Sequence, residues 1–397
     1  MTEKWYTMKY ETLKWNSEQD IPYLSRQNKG KILSTYESAL PDTIADKSLS
    51  LSPELEAAMS DLIANMSRFD TTQSQKGYTF PSMLLRSESA ASSQIENLTS
   101  SIRNIALAEL GSKKTQNAQL IAGNVDAMRT ALNLSGALSI SSILEIHRVL
   151  MEPSQADFAG VLRNQPVWIG GSNYSPHGAT FVPPHESLIT YYLEDLISYS
   201  NRVDINPIVK AAIIHAQFET IHPFIDGNGR TGRMILHKTL KEDGILQTVT
   251  LPISAGLLNN TNEYMKALLS FQEGDPIPII EKIFNSLELA INIGAKVSNE
   301  VSSIVSNWES TINERKTSSI WKLLYLVIEQ PVVNSKYLEK KLNISLRATN
   351  DLINRAVDYG ILRRIGNEQR GIFYQSDEII AVMDKISDIG SIRRNFQ

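Results

Sequence analysis

The stretch His222-Pro-Phe-Ile-Asp-Gly-Asn-Gly-Arg-Thr-Gly-Arg233 places three glycines within six residues, between two apolar helical segments. Glycine is costly inside a helix and adopts positive φ readily, so the chain must turn here. One helix ends near His222 and the next begins beyond the turn. Gly227, Asn228 and Gly229 let the backbone reverse sharply and aim successive N–H groups at one point, an anion nest at a helix start. Arg230 and Arg233 lie three residues apart in the helix that follows, so both side chains suit one polyphosphate. Asp226 precedes the turn, where it would hold a divalent cation against phosphate oxygens. His222 ionises near neutral pH and suits a general base. Together these residue types point to a site that handles a nucleoside triphosphate.

Each element alone has a plainer reading. A Gly-Asn-Gly run is ordinarily a turn, and an arginine pair at this spacing is ordinarily a solvated helix face. Their concentration in twelve residues carries the inference. His147, His177, His185, His215 and His237 lack such company and read as structural or surface residues.

The whole chain sets outer bounds. Its 397 residues, 42% hydrophobic, suffice for two or three domains with cores of their own. A net charge of −4 gives no overall basic footprint for nucleic acid. The absence of cysteine excludes disulfides, thiolate catalysis and cysteine-based zinc sites. Met1-Thr-Glu-Lys-Trp-Tyr6 lacks the apolar core of a signal peptide, and no segment approaches the ~20 apolar residues of a membrane span, so a soluble cytoplasmic protein is expected.

Apolar residues recur mostly at helical spacing, which predicts a mainly α fold. Ser52 reads as an N-cap with Pro53 in the first helical position. Residues 81–110 read as a helical stretch. Pro207 starts the helix ending near His222, with Ile208, Ala211, Ala212, His215, Phe218 and Ile221 as its buried stripe. The helix after the turn carries Met234, Ile235 and Leu236 and stops around Gly244. The one β-like piece lies in Arg163–Pro184, where Val167-Trp168-Ile169, ended by Gly170-Gly171, reads as a short hairpin.

From about residue 315 three short helices follow one another, Gly360 ends the third, and Ile361–Arg364 with Gly371–Tyr374 alternate like a two-stranded wing. This order is similar to a winged helix-turn-helix, with residues 345–359 in the recognition position. Arg347, Arg355, Arg363, Arg364 and Arg370 bring positive charge that Asp351, Asp358 and Glu368 dilute. DNA binding and a protein-docking or dimerising role both stand open.

The twelve-residue stretch matches without a gap the signature His-x-Phe-x-Asp/Glu-Gly-Asn-Gly-Arg-x-x-Arg, and over residues 30–290 the chain resembles the Fic family. That resemblance implies a helical core with a small β-hairpin flap, an N-terminal helical region and a protein adenylyltransferase activity using ATP. His222 would deprotonate a Ser, Thr or Tyr hydroxyl of a target protein, and Asp226 would hold Mg²⁺. Asn228, Gly229 and Arg230 would cradle the α- and β-phosphates within a binding stretch that includes Gly227, Thr231 and Gly232. Arg233 would take the γ-phosphate, and Phe224 would be a buried pin. Val167, Trp168, Ile169 and Gly170, flanked by Gly160-x-x-Arg163 and Phe181-Val-Pro-Pro184, occupy the flap that aligns a target segment by β-augmentation. Tyr264 and Gln272 would border the nucleoside pocket, although the frequent Tyr-Tyr pair is Tyr264-Met265 here and a position often held by Asn is Gln272.

Upstream, Ser92-x-x-x-Glu96-Asn97 resembles the family's inhibitory motif. At i and i+4, Ser92 and Glu96 would share one helix face. The glutamate would pair with Arg233 and withhold it from the γ-phosphate, a charged hydrogen bond of about 1.5–3 kcal/mol. Homodimers that hold this brake in place occur in the family. The resulting organisation is residues 1–110 as the N-terminal region, 111–300 as the catalytic core and 315–397 as the tail. Transfer of another nucleotide or phosphate group, removal of AMP by the same site, and a transcriptional regulator that only senses ATP are the competing readings.

Overall fold

In the computed structural model, which describes residues 5–15, 32–76, 80–112, 115–366, 371–387 and 389–396, sixteen α-helices and five short strands make a mainly helical fold. Met1 to Lys4, Glu368 and Arg370 fall outside the described residues. Among the described residues no helix is long and apolar enough to cross a membrane.

Local chemistry fixes the helix starts. The Ser52 side chain accepts the Leu55 N–H, and Pro53 opens the helix Pro53–Ser74. Asn206 likewise caps Pro207–Ile221, and Ser345 caps Leu346–Asp358. The contacts group into two units that cut across the expected domain boundaries. The first comprises Met1–Leu51, Asn133–Glu242 and Asn262–Lys282; the second comprises Ser52–Leu132, Asp243–Thr261 and Ile283–Gln397.

In the first unit the helix Pro207–Ile221 is the central element. Every residue from Ile208 to Ile221 is buried, where the sequence suggested a single stripe. Helices Ile189–Ser200 and Asn228–Glu242 pack against it, and Ile140–Met151 packs against the latter. Lys238 donates to the carbonyls of Leu134 and Gly136. An antiparallel pair, Lys9–Lys14 with Thr35–Leu40, was not visible in the sequence. Only its second strand buries side chains, and one of these is Ser38, so no apolar alternation marks it. Trp15, at the end of this pair, sets its ring edge-on to Trp168 at 5.7 Å and to Tyr36 at 5.9 Å.

In the second unit the expected helical stretch 81–110 is two helices, Phe80–Ile95 and Ile102–Glu109. The break is a left-handed residue, Asn97 at φ 61°. Its N–H donates to the Gln94 carbonyl and the Leu98 N–H donates to Ser93, both at 3.0 Å, which is a Schellman termination. Ser92 is therefore helical while Glu96 has left the helix. The first of these helices is firmly anchored. Arg86, 1% exposed, donates to Glu109 at 2.7 Å and to the Glu329 carbonyl and Gln330 Oε1, each at 3.0 Å. Buried Glu88 accepts the Ser254 N–H and hydroxyl.

The C-terminal segment runs as helix Ser319–Glu329, strand Val332–Asn334, helices Ser335–Leu342 and Leu346–Asp358, then strands Arg363–Ile365 and Phe373–Gln375. Phe373–Gln375 lies between the other two strands, antiparallel to both. The Arg86 contacts and a cluster of Ala106, Leu107, Val332 and Ile380 group this segment with residues 52–132, where the sequence suggested a separate body.

Buried Asp70 accepts the N–H groups of Gln247, Thr248 and Val249 at 3.2, 3.0 and 2.7 Å. Asp70→Ala leaves three donors without their acceptor and should lower unfolding stability by about 2–4 kcal/mol, read as a fall in the urea midpoint. An unchanged midpoint would show that the carboxylate is dispensable.

Candidate active site

The pre-loop helix ends on His222 in the left-handed region, φ 49° and ψ 61°, with its N–H donating to the Phe218 carbonyl at 2.9 Å. A β-carbon is strained there, and buried Arg163 provides the compensation. Its guanidinium donates to the carbonyls of His222 (2.8 Å), Pro184 (2.5 Å) and Gln165 (3.2 Å), with Ile221 at 3.4 Å. A cation is well placed at a helix C-terminus. Burial pushes Arg163 down to about 10, against the charges of Glu186 and Tyr36, so it remains charged at neutral pH. The role of Arg163 in holding His222 was not legible in the sequence. His222 Nδ1 lies 3.2 Å from the Glu219 carbonyl, which can only accept; the proton is on Nδ1 and the basic lone pair on Nε2.

The loop is closed by Asn228. Its Oδ1 accepts the Phe224 N–H and its Nδ2 donates to the Phe224 carbonyl, both at 2.9 Å. The Asn228 side chain is thus committed to the loop. Phe224 is fully buried. Asp226 is 51% exposed; its Oδ1 accepts the Gly227 N–H at 2.6 Å and its Oδ2 accepts Gln155 Nε2 at 3.2 Å. Arg230 Nη2 lies 3.7 Å from the same carboxylate. Gly227 has φ 78°, and a β-carbon there would stand 2.9 Å from Met151 Sδ. Its carbonyl accepts the Thr231 N–H at 3.0 Å and so caps the helix Asn228–Glu242. The N–H groups of Asn228, Gly229 and Arg230 consequently open at the positive end of that helix.

Thr231 and Gly232 turn away from this end. Thr231 is fully buried. A β-carbon on Gly232 would lie 2.8 Å from Glu219 Oε1, 3.1 Å from Phe218 Cδ1 and 3.2 Å from His215 Nδ1, so this glycine lets two helices cross closely. Both were expected among the phosphate-binding residues; the Thr231 side chain and the Gly232 α-carbon lie against packed neighbours. Arg230 and Arg233 are 6% and 2% exposed.

His147 also reaches the loop. Its ring lies face to face with Phe224, centroids 3.6 Å apart at 1°. Nε2 donates to the Asp226 carbonyl and Nδ1 accepts the Gly160 N–H, both at 3.0 Å. Burial first, and Arg230 to a lesser degree, push it down to about 4, against hydrogen bonding to the Asp226 carbonyl. From the sequence His147 reads only as a structural or surface residue.

The flap is less regular than expected. Ile169 donates to the Phe181 carbonyl and accepts the Thr180 N–H, each at 2.8 Å, but Val167–Ile169 forms no strand. Gly170 and Gly171, at φ 76° and 73°, turn the backbone out of the ladder at once. Trp168 Nε1 donates to Ser172. Tyr264 is 1% exposed and its hydroxyl meets His215 Nε2 at 2.7 Å, so it supports the motif helix through His215 and offers no exposed ring face. Gln272, partly exposed, ends the helix Thr261–Gln272. Ser92 is buried, whereas Glu96 and Asn97 are exposed.

Asp226 is the loop's one carboxylate, and among the described residues no cluster of three or more His, Asp or Glu could hold a metal. Mg²⁺ is commonly held by one or two carboxylates, with phosphates and water supplying the rest, and half-exposed Asp226 fits that pattern.

Residues 137–240, which contain this loop, match the model of the Fic/DOC family. Over that span the chain is similar to Fic/DOC proteins. Over 107 residues it is 35% identical to the probable protein adenylyltransferase aq_aa38 of Aquifex aeolicus (strain VF5), covering 27% of this chain and 31% of that protein. Over 189 residues it is 29% identical to the protein adenylyltransferase fic-1 of Caenorhabditis elegans, covering 45% and 34%. The chain thus spans about a third of the length of these curated relatives. The crystal structure of a Fic family protein from Desulfovibrio desulfuricans G20 shares the fold, with a TM-score of 0.53 at 21% identity over 83% of this chain and 97% of that one.

His215 behind the loop is fully buried, and burial first, then the charge of Arg233, hold it down at about 3. An unfolded histidine titrates near 6.5. Between these values the unfolded chain binds a proton that the folded chain refuses, so stability falls as pH drops from about 6.5 toward 4. His215→Gln should flatten the profile by about 1.4 kcal/mol per pH unit in urea titrations. Parallel profiles for the two proteins would contradict the assignment.

Proposed function

We propose that this chain transfers AMP from ATP to a Ser, Thr or Tyr hydroxyl of target proteins, and to itself. The reading is carried by one juxtaposition: the Nε2 lone pair of His222 at one end of the loop, and a helix N-terminus with Arg230 and Arg233 at the other. The names of the relatives, protein adenylyltransferases, support it. Nε2 takes the hydroxyl proton as the oxygen attacks the α-phosphorus. The bond from that phosphorus to the bridging oxygen breaks, and pyrophosphate leaves on the opposite side. The N–H groups of Asn228, Gly229 and Arg230 and the two guanidiniums neutralise charge on the phosphates. Mg²⁺ held by Asp226 would add further neutralisation of phosphate oxygens.

The same proposal makes Glu96 a brake that engages Arg233. Incubation with ATP and Mg²⁺ followed by mass spectrometry should find AMP adducts on Glu96→Gly at about 10-fold or more the wild-type level, and none on His222→Ala. Equal labelling of wild type and Glu96→Gly removes the brake; no adduct on any variant removes the transfer reaction.

A second reading concerns the C-terminal segment. Fourteen Lys and Arg against nine Asp and Glu give residues 315–397 a net charge of +5 in a chain of net −4. In the element order of a winged helix, Leu346–Asp358 takes the recognition position, with Arg347, Asn350 and Asn354 exposed along it. Arginine and asparagine suit guanine and adenine edges, while exposed Lys336 and Lys340 suit phosphates. On this reading the segment binds double-stranded DNA. Fluorescence anisotropy of the full chain with a labelled duplex at about 50 mM salt should show binding, and Lys336→Ala should reduce the log–log salt slope by about 1. No binding at that salt favours protein docking.

A further inference from the structure

We infer that His147 is a positioning residue of the active site, one imidazole that sets both the phosphate loop and the entry to the flap. Its consequence for rate rests on the adenylyl-transfer reading; its effect on the loop does not.

A neutral imidazole has one donor and one acceptor, and a single tautomer serves both partners of His147. The Gly160 N–H at 3.0 Å requires the lone pair on Nδ1, which leaves the proton on Nε2 for the Asp226 carbonyl, also at 3.0 Å. The Asp226 carbonyl and the Gly227 N–H belong to one planar peptide unit and point in opposite directions. Drawing the carbonyl toward His147 therefore turns the Gly227 N–H the other way, where it donates to Asp226 Oδ1 at 2.6 Å. One hydrogen bond from the ring thus orients, through a rigid plane, the carboxylate proposed to hold the cation.

Steric contacts fix the same loop. The ring lies flat on Phe224, whose backbone Asn228 clamps on both sides. A β-carbon at Gly227 would come within 3.4 Å of His147 Nε2, so the ring is a wall against which the tightest residue of the turn rests. At the other nitrogen, Gly160 has φ 71° and packs so closely that its β-carbon would lie 2.9 Å from Arg148 Cβ. Three residues on, Arg163 grips the His222 carbonyl. His147 thereby stands where the flap's entry turn, the base and the phosphate loop are held in register.

The test uses the full chain in the Glu96→Gly background. His147→Phe keeps a ring against Phe224 and removes both hydrogen bonds. His147→Gln returns an amide near the place of Nε2, and His147→Asn returns one near Nδ1. In the ligand-free protein, His147→Phe should speed hydrogen exchange at the amides of Gly160 and Gly227, and His147→Asn should restore protection at Gly160. With ATP, His147→Phe should lower kcat/KM by about 10- to 100-fold, the range for removal of a group that orients a metal ligand, and His147→Gln should recover most of the loss. Unchanged exchange at both amides overturns the inference whatever the enzyme does. It is equally overturned if Phe, Gln and Asn lower the rate alike and in step with the melting temperature. If the parent forms no AMP adduct, the transfer reading fails, and the exchange measurement still decides the role of His147.

Discussion

The candidate active site depends on reversing the chain between two buried helices within six residues. His222 and Gly227 take positive φ at the two ends of that reversal, 49° and 78°. Such a turn strains a residue with a side chain by about 1–2 kcal/mol and exposes carbonyls at a helix end. Arg163 occupies those carbonyls, Asn228 ties off the Phe224 backbone, and His147 holds the Asp226 carbonyl. With the backbone groups of the turn so engaged, the Nε2 lone pair of His222, the base of the proposed transfer, and the N–H groups of the second helix keep fixed directions. This is pre-organisation in the sense that matters for charge stabilisation, because little rearrangement is left for the moment of reaction.

The supporting structure has the same logic in the second unit. The helix Phe80–Ile95, which carries Ser92, is bound by side chains rather than by apolar packing alone: Arg86 to Glu329 and Gln330, Glu88 to Ser254, and Ser89 and Ser93 to Asn124. Buried charges of this kind give a defined register more than net stability. A shift of the C-terminal segment that moved Glu329 or Gln330 would be felt at Arg86, two turns before Ser92.

Much of this was legible in the sequence, for identifiable reasons. The loop motif could be read because each residue has a distinct chemistry and the spacing is fixed, and the turn it implies is present, with Gly227 at positive φ. The packing of the Asn228 and Thr231 side chains and of the Gly232 α-carbon was not legible, because a motif gives spacing and no direction, and consecutive residues at the start of a helix face different sides. Arg163 and His147 were missed because their partners are main-chain carbonyls and amides distant in sequence, which no residue pattern records. The strands Lys9–Lys14 and Thr35–Leu40 were hidden by a serine on their buried face. The break at Asn97 was present as an asparagine that tolerates left-handed backbone, but helical periodicity on both sides masked it.

Arg163 binds the carbonyls of Pro184, where the flap segment ends, and of His222 with a single planar group. The two cannot shift independently without breaking that fork. Under the proposed chemistry, an acceptor strand laid along the flap is indexed to the base by main-chain register and not by its own side chains. Which hydroxyl is modified then becomes a question of how many residues separate it from the docking point, much as a ruler selects a mark by distance and ignores what is written there.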